Sequence, residues 1–181
     1  MGFLNISGDD FRGRAKKIKV LVMDVDGVLT GGEVILDRQG NELKMFHVRD
    51  GHGIKMIQRT GMKTAIITGR SSNVVTIRAE ELGIVDVFQG SKDKLPTFRE
   101  LLERHGLDEE EAAYIGDDIV DIPVMKRAGL SFTVADAEQY VKEVAHFVAG
   151  RNGGRGAVRE IIDLLLKARG EWDTVTAKYF G

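Results

Sequence analysis

Asp24 and Asp26 stand at the end of an apolar, β-leaning run (residues 18–25, IKVLVMDV), with Gly27 close behind. In an extended segment, positions i and i+2 point to the same side, so both carboxylates face the crevice beyond a strand end. Two acids so placed can divide labour: one attacks or binds a metal, the other exchanges a proton. The same pair also suits a cap or a turn. Thr68-Gly69-Arg70 ends a second apolar run. There a hydroxyl and backbone N–H groups at a helix start form a natural oxyanion site, and a guanidinium can contact phosphate or carboxylate. An ordinary helix start with Ser71 as cap is the plainer alternative. Lys92-Asp93-Lys94 precedes a helix; one of its lysines can neutralise a phosphate or a nucleophilic carboxylate, or the cluster is simply solvated. Finally, Gly116-Asp117-Asp118-Ile119-Val120-Asp121 follows the run AAYI. Three carboxylates this close repel one another unless a cation is present, and oxygen ligands suit Mg²⁺. Aspartates in a helix's first turn are the competing reading.

The elements that must hold these residues alternate. Strand-like runs lie at 18–25, 62–68, 85–88, 112–115, 130–134 and 146–148, and helical patterns at 53–59, 71–82, 95–105, 120–128 and 156–169. Apolar runs without polar alternation suit strands buried on both faces. The alternation predicts an α/β fold with a doubly wound parallel sheet, in one domain spanning 1–181. Such a sheet binds ligands outside the carboxyl ends of its strands, where all four motifs fall. Residues 32–48 break the pattern and read as a β-hairpin turning at Arg38–Asn41, projecting over those strand ends. The tail, 171–181, carries Trp172, Val175, Tyr179 and Phe180; it either folds back on its own core or packs on a neighbouring subunit.

Composition narrows the classes. Lys+Arg 26 against Asp+Glu 28 gives a net charge of −2, with no basic stripe for a nucleic acid. No apolar run approaches the ~20 residues of a membrane span. The chain has no cysteine and no signal-peptide pattern at its start, so a soluble cytoplasmic protein is expected. Glycine is abundant, 22 of 181 residues, against a usual ~7%. Gly150, Gly153, Gly154 and Gly156 crowd one stretch with no evident purpose.

The ordered set DVDGVLT, ITGR, Lys94 and GDDIVD resembles the haloacid dehalogenase superfamily of phosphohydrolases. The resemblance implies that Asp24 is the nucleophile, forming an aspartyl-phosphate. Asp26 is the general acid and then base, and Thr68 and Lys94 hold phosphoryl oxygens. Mg²⁺ is held by Asp24, the backbone carbonyl of Asp26, and Asp117, with Asp118 and Asp121 nearby orienting Lys94. An acid at the second DxD position favours hydrolysis over dehalogenation, because an alkoxide leaving group needs a proton.

Neither the stretch from Asp24 to Thr68 nor that from Thr68 to Lys94 has room for a large cap domain. Within the superfamily, residues 18–166 are similar to the family of phosphatases acting on 3-deoxy-D-manno-octulosonate 8-phosphate. That likeness implies Mg²⁺-dependent hydrolysis to the free sugar acid and phosphate, in lipopolysaccharide precursor synthesis. It also implies a homotetramer with hairpins forming a central barrel and a neighbour's tail closing the site. Implied substrate contacts are Asp26, His47, Val48, Arg49, Asp50, Gly51, Arg70, Arg78 and Lys94. His47 stands where the family pattern has asparagine. The rival readings are a phosphatase of a nine-carbon sugar acid 9-phosphate, a phosphomutase and a non-catalytic interaction module. Arg70 replaces the acidic residue common in the nine-carbon branch, and all the catalytic aspartates are present.

Overall fold

The apolar runs that end in acidic residues are buried on both faces and form the middle of one sheet. The computed structural model describes residues 2–180; Met1 and Gly181, the outermost residues of the expected domain and tail, lie outside them. In chain order the elements are β1 (Phe3–Leu4), α1 (Gly8–Ala15), β2 (Val20–Met23), β3 (Ile35–Leu36), β4 (Glu42–Leu43) and α2 (Val48–Gln58). Next come β5 (Lys63–Ile67), α3 (Asn73–Leu82), β6 (Asp86–Phe88), α4 (Lys94–His105), β7 (Ala112–Ile115) and α5 (Ile122–Met125). The chain then continues through β8 (Leu130–Thr133), α6 (Gln139–Lys142), β9 (Phe147–Val148), α7 (Ala157–Arg169) and α8 (Trp172–Phe180).

Seven strands form a sheet in the order β1-β9-β8-β7-β2-β5-β6, parallel except for β1 at its edge. This is the α/β architecture that the alternation predicts, with β3 and β4 forming a separate antiparallel pair. Met23 is in register with Ile66 of β5 and Ile115 of β7, so three central strands end at one level. α7 packs against α1, α2 and α8, and α4 against α5. The buried stripe of α7 is Val158, Ile161, Ile162, Leu165 and Leu166, each worth about 1.5–3 kcal/mol on burial.

Several boundaries differ from the sequence pattern. α2 begins at Val48 rather than at residue 53, because the His47 ring caps it, accepting a hydrogen bond from the Arg49 N–H at 3.3 Å. The cap of α3 is Ser72 rather than Ser71. The expected helix at 120–128 is a 3₁₀ turn at Ile119–Asp121 followed by the single turn of α5, with Pro123 in its first turn. Residues 3–15 form elements that the pattern missed. α1 buries only Phe11 and Ala15, so its apolar periodicity is faint.

The glycine cluster acquires a purpose here. A Cβ on Gly153 would lie 1.7 Å from the Gly27 carbonyl oxygen, and one on Gly27 2.0 Å from Asp117 Oδ2. Backbone therefore packs on backbone, and backbone on carboxylate, behind the DxD turn.

Candidate active site

Because β2, β5 and β7 adjoin and end level, Asp24, Thr68 and Asp117 converge from three segments distant in sequence. The first two are buried and Asp117 is partly buried. Lys94 reaches them from the first turn of α4, its ammonium 3.0 Å from Asp24 Oδ1 and 2.6 Å from Asp121 Oδ1. Asp121 is fully buried and saturated. It also accepts from the Tyr114 hydroxyl at 2.7 Å and from the N–H groups of Asp117 and Asp118 at 3.0 and 3.2 Å. Asp118 is exposed and caps the 3₁₀ turn through the Ile119 N–H at 2.7 Å.

Oxygens of Asp24, Asp117 and Asp121 all lie within 4.8 Å of one another. Burial, then the Asp121 charge, push the Asp24 carboxyl up to about 7 against the opposing pull of Lys94. Burial, then the charges of Asp24 and Asp121, push Asp117 up to about 8. Burial also works against the Lys94 ammonium, but the two carboxylates beside it outweigh burial and raise its pKa. Asp24 Oδ1 lies near Lys94 without hydrogen-bond alignment, and both it and Asp117 Oδ1 are buried with no hydrogen-bond partner. An Asp117 oxygen with no partner, beside an Asp24 oxygen met only by the Lys94 ammonium, in a buried acidic cluster fits a hard divalent cation. Asp121, already saturated, is left to orient Lys94.

Asp26 faces the hairpin. Its Oδ1 is ion-paired with Lys44, and its Oδ2 lies 3.7 Å from Arg70 Nε. Arg70 also donates to Glu42 Oε1 at 2.7 Å, and Lys44 lies 3.3 Å from the same oxygen. A hydrogen bond from Ser72, with those from Arg70 and Lys44, holds Glu42 down at about 2 despite partial burial.

The 47–51 segment divides. His47, partly buried, and exposed Arg49 open α2, and Val48 is 82% exposed. Asp50 faces inward instead. Its oxygens accept from the N–H groups of Gly156 and Arg159 at 3.2 and 2.8 Å. It caps α7 through both oxygens. Gly51 lies beneath Arg78, where a Cβ would be 2.4 Å from Arg78 Nη2. Arg78 stacks over Phe46 at 5.6 Å and donates to Glu81 at 2.7 Å, while its Nε is buried without a partner.

Comparison with known proteins decides the family. Residues 71–162 match the haloacid dehalogenase-like hydrolase model. The chain is 46% identical over 168 residues to the 3-deoxy-D-manno-octulosonate 8-phosphate phosphatase of Yersinia pestis, covering 93% of this chain and 90% of that protein. The chain belongs to the 3-deoxy-D-manno-octulosonate 8-phosphate phosphatase family of haloacid dehalogenase-like hydrolases. The Moraxella catarrhalis phosphatase of this family, solved with magnesium ion, phosphate ion and a KDO molecule, superposes with a TM-score of 0.92. The two are 39% identical, and the match covers 94% of this chain and 98% of that one. The cobalt-bound Haemophilus influenzae phosphatase gives 0.87 at 42% identity, covering 92% and 98%.

Within this family frame, three residues at the site went unread in the sequence. Tyr114 lies inside an apolar run, and only burial beside Asp121 reveals its hydroxyl as a donor. Glu42 and Lys44 are the polar positions of an alternating run, which ordinarily face water. Here that alternation is reversed, and Leu43 and Met45 are the exposed residues.

Proposed function

We propose that this chain hydrolyses 3-deoxy-D-manno-octulosonate 8-phosphate to the free sugar acid and inorganic phosphate with Mg²⁺, in lipopolysaccharide precursor synthesis. The observation that carries this reading is the convergence of Asp24, Asp26, Asp117 and Lys94 at adjoining strand ends, in a chain so similar to phosphatases of that substrate.

The Asp24 carboxylate attacks phosphorus and forms the aspartyl-phosphate. Lys94 and the Thr68 hydroxyl hold the transferring oxygens, and Asp121 keeps the Lys94 ammonium aimed at Asp24. Asp26 gives its proton to the departing C8 alkoxide. It then takes one from the water that attacks the aspartyl-phosphate, so acid and base are restored in one turnover. Asp24, Asp117 and the backbone carbonyl of Asp26 would hold Mg²⁺, which when bound supplies the charge that lets an anionic nucleophile approach an anionic phosphate. Arg70, Arg78 and Arg49 face the sugar acid's carboxylate and hydroxyls, with His47, Val48 and Gly51 shaping the wall.

The fold carries no large cap, so the lid comes from neighbours in a homotetramer. The exposed hairpin residues Val34, Leu36, Leu43 and Met45, with Val48, support this assembly. Among the described residues no helix is long and apolar enough to cross a membrane, and a cysteine-free chain fits the cytoplasm. A phosphate-release screen over eight- and nine-carbon sugar acid phosphates tests the substrate. The eight-carbon compound should be turned over fastest, and Asp24→Asn should release none while remaining folded. Preference for another ester, or retained turnover in Asp24→Asn, refutes the reading.

A further inference from the structure

The inner face of the hairpin is built for a purpose other than assembly. Glu42 in β4 and Lys44 just beyond its end turn the same way and pack on the DxD turn, whereas Leu43 and Met45 turn out. The Lys44 side chain is only 2% exposed, although Asp26 beside it is 23% exposed and open to a ligand. A solvated lysine pair contributes almost nothing to stability, and burying an ammonium costs energy that its partners only partly return. Burial here therefore points to a role in the reaction. Lys44 engages Asp26 Oδ1 alone, and Asp26 Oδ2 lies 3.7 Å from Arg70 Nε, beyond hydrogen-bond distance.

We propose that Lys44 is a positioning residue: it clamps Asp26 Oδ1 and thereby aims Oδ2 at the leaving-group oxygen. Glu42 is the strut of the clamp. It holds Lys44 on one side and Arg70 on the other, so the hairpin is tied to both the general acid and the start of the β5–α3 loop. The inference rests on the reading of Asp26 as the acid and base. A 1 Å displacement of such a group can cost about 10²-fold in rate.

The experiment compares two leaving groups. An alkyl phosphate needs a proton on its departing oxygen; p-nitrophenyl phosphate does not, because the nitrophenolate leaves unaided. Lys44→Met should lower kcat/KM, which reports formation of the aspartyl-phosphate and not its hydrolysis, by about 30–100-fold on the alkyl ester and by no more than a few-fold on p-nitrophenyl phosphate, as expected for lost general acid catalysis. Asp26→Ala should show the same split, and the double variant should lose little more than Asp26→Ala alone. Lys44→Arg keeps the cation and should retain the alkyl-ester rate within about tenfold; it decides the matter if circular dichroism finds Lys44→Met unfolded. Equal losses on both esters, additive losses in the double variant, or a Lys44→Arg enzyme crippled on both esters would overturn the proposal. The alkyl ester used is whichever one the wild-type enzyme turns over fastest. A wrong sugar assignment would therefore show in the wild-type screen and not in this comparison.

Discussion

Removing the buried cation at the centre of the site gives the sharpest test of its electrostatics. Lys94→Met replaces an ammonium held between Asp24 at 3.0 Å and Asp121 at 2.6 Å with an apolar chain of similar length. At an effective dielectric of about 20, each contact is worth roughly 5–6 kcal/mol of gross attraction. Desolvation of the three ions takes back most of that sum, and breaking such a buried cluster costs about 3–5 kcal/mol. For a chain of this size the loss lowers the melting midpoint by about 6–20 °C. The loss also depends on pH. Asp24 already sits near 7 with Lys94 present, so without it the orphaned carboxylates take up protons more readily, and acid relieves the strain. Unfolding in EDTA should therefore show a larger deficit near pH 8 than near pH 5.5, because protons bound only by the folded state stabilise it at low pH. A midpoint unchanged from wild type, or a deficit equal at both pH values, would show that Lys94 is not neutralising the two aspartates.

Three further outcomes follow from the same structure. In the metal-free wild-type protein, Asp24 near 7 and Asp117 near 8 both lie above the ordinary 3.8, so the folded state holds protons that the unfolded chain releases. Stability in EDTA should fall as pH rises across that window, and Mg²⁺ should restore more at its upper end; a flat or rising profile contradicts the paired carboxylates. Gly153→Ala places a Cβ 1.7 Å from the Gly27 carbonyl oxygen. It should destabilise the chain by about 1–3 kcal/mol in urea and slow phosphate release by displacing the DxD turn, and a neutral variant would refute the backbone contact. In sedimentation at micromolar concentration the chain should run as a tetramer, and Leu43→Lys with Met45→Glu on the hairpin should dissociate it; wild-type monomers would remove the shared lid.

The motif residues were legible because their types are rare in such places. Aspartates closing apolar runs, a Thr-Gly-Arg at a strand end and three acids after AAYI have few structural reasons to recur in one order. The sheet was legible because double burial leaves unbroken apolar runs. The amino-terminal elements were not, because α1 buries only two residues and β1 is a two-residue edge strand. Asp50 shows what local sequence does not encode. The family likeness implies a substrate contact there, and only the fold shows that its position opposite the start of α7 makes it a cap for a helix more than a hundred residues away. The tail was ambiguous in sequence. In the fold it is α8, whose Tyr179 hydroxyl bonds the His52 ring at 3.0 Å and accepts from Arg59 at 3.2 Å.

Sequence alone therefore determined the fold class and the order of the candidate residues: which carboxylates and which lysine stand at strand ends follows from residue type and local spacing. The tertiary structure decided how each of them is held. It saturated Asp121, left an Asp117 oxygen without a partner and an Asp24 oxygen with Lys94 alone, set Asp50 as the cap of α7, and turned Glu42 and Lys44 inward onto Asp26. Those outcomes depend on burial and on partners distant along the chain. A side chain's charge and direction are set by what packs around it, which local spacing does not encode.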